Sequence, residues 1–328
     1  MSNDAGTTRH APPGDISRPG VMRSRPSPHP QPLGWASLRA LARRLEPRDY
    51  TIAHLLDEHR TLTTDQITAA LFTATRTCRN RLDVLRRLGF IAWFIPIRRR
   101  RRPATHWIPA LLSARYTALA GGRRPPTARA VRELQDRMVV SPLVHHTVGA
   151  NGVFIGLLAQ ARTRPDARLA RWWSGPTMSA TVGNRIQPDG HGVWREDGHT
   201  VSFYLEYDTG TETLSTVAGK LRAYRTLQDL GGPYWPVLFV LPSRLREHNL
   251  RQRFTATGTS GVIVATTSQD RVDVDPAGPI WALADGTGPE PALRWRLVEL
   301  PSEPGLPGIF HPGPATPEQD PLRLLIPP

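Results

Sequence analysis

The residues best suited to chemistry lie in the second half of the chain. Asp189 sits in a Gln-Pro-Asp-Gly run at 187–190, and Leu-Glu-Tyr-Asp-Thr-Gly-Thr-Glu follows at 205–212. Apolar and polar residues alternate over 200–208, which predicts a strand. Phe203, Leu205 and Tyr207 face one way; Tyr204, Glu206 and Asp208 face the other. Asp189 lies on or just after the neighbouring strand of a hairpin, so three carboxylates converge and repel one another. A hard cation such as Mg²⁺ is the standard remedy, held by one or two carboxylates plus waters. Lys220, the single lysine of an arginine-rich chain, falls in the helix that follows, two turns after Glu212 and on its side. A lysine can orient or deprotonate a water as an arginine cannot.

With Asp189 and Glu206 as metal ligands, this set could support metal-assisted phosphodiester hydrolysis. The metal would polarise the phosphate and activate water, and Lys220 would position the nucleophile or steady the developing charge. The same residues have a plainer reading. Asp189-Gly190 makes a good turn, and 208–212 could lead into a helix capped by Thr211, where carboxylates favour the N-terminus without catalysis.

The elements that must position these residues follow from periodicity. Beyond residue 130, a helix over about 146–162 is followed by a strand near 183–195, a turn at Glu196-Asp197-Gly198, the strand of 200–208 and a helix over about 211–229. A wholly apolar strand, Pro236–Pro242, then reads as buried on both faces. Further strands are expected at 261–266, 279–284 and 294–300. The fold class is α/β, a mixed α+β arrangement. His145 and His146 precede the first of these helices, and Trp172 and Trp173 pack at its end. Two adjacent histidines point to different sides, a poor metal clamp.

A separate unit spans 47–120. Ile52, Leu55 and Leu56 form the stripe of a short helix. Thr63 or Thr64 caps the next, with Gln66 at capping-box spacing and Ile67, Ala70 and Leu71 on its apolar face. A third helix over about 75–88 carries Cys78, Leu82 and Leu85 on its core stripe and ends at Gly89. Two strands flank five consecutive arginines, Arg98, Arg99, Arg100, Arg101 and Arg102. Three helices closed by a basic hairpin are the parts of a winged helix-turn-helix. Its third helix carries Arg76, Arg79, Asn80 and Arg81 near the start, the end that enters the major groove in this motif. Arg and Asn read base edges, and the hairpin arginines suit phosphates. The partner expected is double-stranded DNA. Asp83, on the same helix, would oppose phosphate unless it points away.

Composition agrees. The chain has 328 residues with 42 Lys+Arg against 28 Asp+Glu, a net charge of +14. A coding bias can exchange Lys for Arg, but not create that excess of bases over acids. One cysteine, Cys78, excludes disulfides and a cysteine-based zinc site. No apolar run approaches the ~20 residues of a membrane span, and the N-terminus lacks a signal peptide's apolar core, so a cytoplasmic protein is expected. Residues 1–34 read as a disordered basic arm, 121–129 as a linker or exposed loop, 130–300 as the second domain and 301–328 as a Pro-rich tail. No phosphate-binding glycine loop or serine nucleophile elbow is present.

Over about 47–300 the chain resembles the replication-relaxation family. The likeness rests on Leu-Thr-Thr-Asp-Gln-Ile at 62–67, the Arg-rich helix, Arg-Leu-Gly-Phe-Ile at 87–91, and His145-His146 with Asn151. It rests most on Pro188-Asp189-Gly190, Phe203 to Glu212, Lys220 and Tyr224. The resemblance implies a role in plasmid or mobile-element DNA replication and relaxation, with replication or conjugation proteins as partners. It also implies a second domain similar to the PD-(D/E)xK nuclease fold. Such nucleases place a lysine two residues after the second-strand acid, where this chain has Asp208. Either Lys220 replaces that lysine from the helix, or the fold is kept for binding alone. The expectations are therefore a DNA-binding protein with a nuclease-like domain, a Mg²⁺-dependent endonuclease that nicks its site, or a winged-helix regulator without catalysis.

Overall fold

The computed structural model describes residues 43–96, 104–284, 293–303 and 308–325. The arm expected at 1–34 and the arginines Arg98–Arg102 lie outside the described residues. The described chain is mixed α/β, with a three-stranded and a six-stranded sheet.

Helix α1 (Pro47–His59) starts with a proline at its first position, where a missing N–H costs nothing. It buries Ile52, Leu55 and Leu56. Strand β1 (Leu62–Thr63) runs directly into α2 (Thr64–Leu71). There the capping box is formed: Gln66 N–H donates to Thr63 Oγ1 at 3.2 Å, and Thr63 N–H donates to Gln66 Oε1 at 3.0 Å. Helix α3 (Thr75–Arg87) buries Cys78, Leu82 and Leu85. The chain leaves it through Gly89, whose φ of 70° is the left-handed conformation glycine adopts without penalty. Strands β2 (Ile91–Phe94) and β3 (His106–Pro109) pair antiparallel, and β1 joins β3 to give the order β1-β3-β2.

Three further helices follow: α4 (Leu111–Ala120), α5 (Ala128–Val140) and α6 (Val144–Ala161). The large sheet contains β4 (Arg168–Ser174), β5 (Gly190–Glu196), β6 (His199–Tyr207), β7 (Val237–Leu241), β8 (Val264–Ser268) and β9 (Ala282–Leu283), in that spatial order. Its centre, β6-β7-β8, is parallel, and its margins are antiparallel. Helix α7 (Gly175–Thr181) lies between β4 and β5. The pair α8 (Leu214–Gly219) and α9 (Leu221–Asp229) carries the chain from β6 to β7. Helix α10 (Arg244–Thr257) carries it from β7 to β8, and the short α11 (Gln269–Val272) follows β8. Asp197 and Gly198 both have positive φ and close the β5–β6 hairpin, as a two-residue turn requires.

Several sequence expectations are corrected. Trp172 and Trp173 lie in β4, not at a helix end. Leu169 to Trp172 are all buried, so this strand shows no polar alternation to mark it. The strand expected from about 183 begins only at Gly190, after α7. The helix over 211–229 is two helices meeting at Lys220, and Thr213 rather than Thr211 caps the first. Instead of a strand at 294–300 there is one bridge, Trp281 to Trp295, and a 3-10 turn at Leu297–Glu299. His145 and His146 fall inside the first turn of α6.

The two units share one apolar core. Leu62, Ile67 and Phe72 belong to the same buried cluster as Val153, Leu157, Phe203 and Leu238. Polar contacts cross the same boundary. Asn151 Nδ2 donates to the carbonyls of His59 (3.2 Å) and Thr61 (3.0 Å), and Gln66 Nε2 donates to Val148 O at 2.8 Å. The His59 ring stacks on Trp172 at 3.5 Å, and burial pushes its pKa down to about 3. On the other face of the large sheet, Tyr204, Val237 and Phe239 pack with Leu221 and Leu227 of α9 and Leu250 and Phe254 of α10. No single described helix is long and apolar enough to cross a membrane.

The Pro-rich segment near the C-terminus folds back onto β4. Arg171 is fully buried, and its guanidinium donates to Gln319 Oε1 (2.9 and 2.7 Å), Gly313 O (3.1 Å) and Pro314 O (2.9 Å). It lies 4.3 Å over the Trp173 ring. Arg168 pairs with buried Asp320 beside it. Arg171→Ala removes a fully buried side chain and its charged hydrogen bonds to Gln319 Oε1, Gly313 O and Pro314 O, so it should cost about 2–4 kcal/mol. Urea unfolding checks this, and an unchanged midpoint would show that the segment is not anchored there.

Candidate functional site

Glu206 and Asp189 meet at the centre of the large sheet. Strand β6 lies between β5 (antiparallel) and β7 (parallel), with Gly190 opposite Leu205 and Phe239 opposite Glu206. Asp189 immediately precedes β5 and extends its ladder. Its N–H donates to Leu205 O at 2.8 Å, and its Oδ2 accepts the Tyr207 N–H at 2.7 Å. Alternation on β6 sends Phe203 and Leu205 into one core cluster and Tyr204 into the other. Glu206 shares the Tyr204 face, where the crossover from β6 to β7 returns over the sheet.

That crossover supplies the partners of Glu206. Lys220 Nζ lies 3.0 Å from Glu206 Oε2, and Tyr224 Oη donates to Glu206 Oε1 at 2.6 Å. Lys220 and Tyr224 are four residues apart, hence on one side of the chain as it enters α9. Lys220 Nζ also lies 3.2 Å from Glu212 Oε2. Glu206 and Tyr224 are both buried, and the Lys220 side chain is one-third exposed.

Helix α6 brings a fourth group. It approaches β6 at Gly149, where a Cβ would run into the Tyr207 ring. This contact sets His146 Nε2 3.2 Å from Asp189 Oδ2 and its ring edge-on to Tyr207. Asp208 does not join the cluster. It lies just past the end of β6, pairs with Arg246 of α10, and accepts the Gly210 N–H at 2.8 Å.

The electrostatics follow from burial and pairing. Burial, reinforced by the Asp189 charge, pushes the Glu206 carboxyl up to about 7, against the pull of Lys220 and Tyr224. For Lys220, burial alone would lower the pKa. The Glu206, Asp189 and Glu212 carboxylates outweigh it and raise the pKa above the ordinary lysine value. That shift favours the charged ammonium over the free amine. The hydrogen bond to Asp189 raises His146 against the opposing effect of burial. In this arrangement both Glu206 oxygens are engaged, and Asp189 Oδ2 already has two partners. No group of three or more His, Cys, Asp or Glu among the described residues is arranged to hold a metal. The residues as arranged do not fit the Mg²⁺ expected on Asp189 and Glu206.

The second candidate surface is α3. Arg76, Arg79 and Asn80 are exposed, because the core stripe of Cys78, Leu82 and Leu85 turns the rest of the first turns outward. Arg81 is spent on Asp49 and Glu46 of the α1 N-terminus. Asp83 is neutralised by Arg86 at 2.7 Å and by Arg87, so it does not oppose an anion as a free charge would.

The replication-relaxation family model matches residues 54–241. The chain belongs to the replication-relaxation family. The match runs from within α1 to the end of β7 and so includes α3 and every member of the Glu206 cluster. Membership supports a role in the replication and relaxation of mobile elements. No curated protein matches the chain.

For this replication-relaxation protein, the sequence singled out Asp189, Glu206 and Lys220, and the structure brings these three together. His146 stood out only as part of the His145-His146 motif, and nothing in the sequence joined it to Asp189, to which a distant helix delivers it. Tyr224 was marked by the family resemblance and by its spacing of four from Lys220. The Glu206 and His146 shifts have the same consequence for stability. A carboxyl and an imidazole whose folded pKa values are raised favour folding at low pH, and that contribution is lost as pH rises through the folded values. Relative to Glu206→Gln, the wild type should lose stability as pH rises from the ordinary glutamate range to about 7. Urea midpoints across pH measure this, and parallel profiles for the two proteins would show that Glu206 is not shifted.

Proposed function

We propose that this chain is a DNA-binding protein of plasmid or mobile-element replication and relaxation. In this reading, residues 47–120 form a winged helix-turn-helix, and 130–300 form a domain resembling the PD-(D/E)xK nuclease fold. The observation that carries the proposal is the outward face of α3. Its buried stripe packs into the shared core, while Arg76, Arg79 and Asn80 stay exposed. Helices α1 to α3 followed by the antiparallel pair β2–β3 match the order of a winged helix, and the sequence puts Arg98–Arg102 between those strands. Helix α3 would enter the major groove of double-stranded DNA, with Arg79 and Asn80 at base edges. The hairpin arginines would neutralise phosphates and release counterions. The adjacent strands β5 and β6, with Asp189 just before the one and Glu206 on the other, support the nuclease-like comparison for the second domain.

The two sets of residues should separate in a binding assay. Replacing Arg98–Arg102 with Ala should weaken binding to all sequences alike. It should also flatten the salt dependence by ~0.9 in log–log slope for each phosphate that is no longer neutralised. Arg79→Ala and Asn80→Ala should instead relax sequence preference by ~1–3 kcal/mol at the positions they read. Electrophoretic mobility shifts over a salt series, on sites selected from random duplexes, measure both. An unchanged salt slope would remove the hairpin from the interface, and unchanged site selection would remove α3 as the reader.

A further inference from the structure

Around Lys220, side chains that elsewhere would gather a metal are arranged about an ammonium group. Nζ lies 3.0 Å from Glu206 Oε2 and 3.2 Å from Glu212 Oε2, and the Asp189 charge acts on it as well. The remaining Glu206 oxygen is closed off by Tyr224 at 2.6 Å. Asp189 is held by the Tyr207 N–H and by His146. Asp208, a further potential ligand, is diverted to Arg246. The chain has one lysine among its 42 basic residues, and it stands here, where a compact point cation fits between carboxylates better than a planar guanidinium.

We infer that Lys220 is a built-in counter-cation between Glu206 and Glu212, beside Asp189, that stands where a divalent metal would otherwise be held, so that the large sheet serves binding and not hydrolysis. The inference deepens the nuclease-like reading of the second domain, but its first readout is metal binding, which does not depend on how α3 meets DNA. Two carboxylates plus waters are enough for a Mg²⁺- or Mn²⁺-sized ion. Removing the ammonium should therefore open a latent divalent site at the position of Nζ.

The experiment is MnCl₂ titration of the full chain by calorimetry. The wild type should show no Mn²⁺ site at Asp189 up to about 1 mM. Any Mn²⁺ bound equally by the wild type and by Asp189→Asn lies elsewhere and agrees with this. Lys220→Ala, with Lys220→Gln as the second variant should the first fail to fold, should gain a site at least ~10-fold tighter than any in the wild type. That site should be lost again when Glu206→Gln is added. Supercoiled plasmid incubated with wild type and Mg²⁺ should stay intact at concentrations that shift it in a gel. The inference is overturned by wild-type Mn²⁺ binding that Asp189→Asn abolishes. It is equally overturned by a folded Lys220 variant that gains no site, or by wild-type nicking that is lost in Glu206→Gln.

Discussion

A carboxylate in a sheet covered on both faces costs several kcal/mol unless charge and hydrogen bonds meet it there. Glu206 is such a group, and the architecture around it follows from satisfying it. Because β6 and β7 are parallel neighbours, the chain must cross over between them, and the crossover lies on the face that Glu206 shares. The crossover is broken at Lys220, which sets the ammonium at the junction of α8 and α9 and the Tyr224 hydroxyl one turn later. Strand order, crossover and ion pair are thus one constraint expressed at three levels.

The opposite face of β6 carries the connection to the rest of the molecule. Helix α6 lies against Tyr207 at Gly149, brings His146 to Asp189, and through Val148 and Asn151 receives hydrogen bonds from, or donates them to, the first unit. One helix therefore fixes the acidic cluster and the α2–α3 pair in a common frame. The capping box of α2 takes part directly, since Gln66 caps its own helix with Oε1 and reaches Val148 with Nε2. The aromatic stack of His59 on Trp172 seals the same boundary with a neutral ring.

Charge is distributed unevenly. The buried acids outside the cluster are each matched by arginine: Asp49 by Arg81, Glu196 by Arg164 and Arg296, Glu247 by Arg271 and Arg294, Asp208 by Arg246, and Asp320 by Arg168. Arg76 and Arg79, by contrast, are exposed on α3. The chain's net charge of +14 favours polyanions without specifying which. In the proposed DNA-binding role, specificity would come from side chains held on a rigid helix, and the buried stripe of α3 supplies such a helix.

Where a pattern is local, the sequence alone determined the result. The cap at Thr63 and Gln66, the stripe of Cys78, Leu82 and Leu85, the alternation that puts Glu206 opposite Leu205, and the doubly buried β7 all follow from spacing, because helices and strands impose fixed periods on burial. Strand β4 was not legible, since Leu169 to Trp172 are buried on both faces and leave no period. The break of the helix at Lys220 was not legible either, since Lys220 itself keeps near-helical backbone angles. Which charges meet is decided only in three dimensions. His146 reaches Asp189 across the whole of β4 and α7 because α6 is packed tightly on Tyr207. Asp208 still donates its N–H to Val240 O of β7, but its carboxylate turns to Arg246 of α10. Lys220 meets the carboxylates of Glu206 and Glu212, which come from separate segments. Sequence distance carries no information about such encounters; packing does.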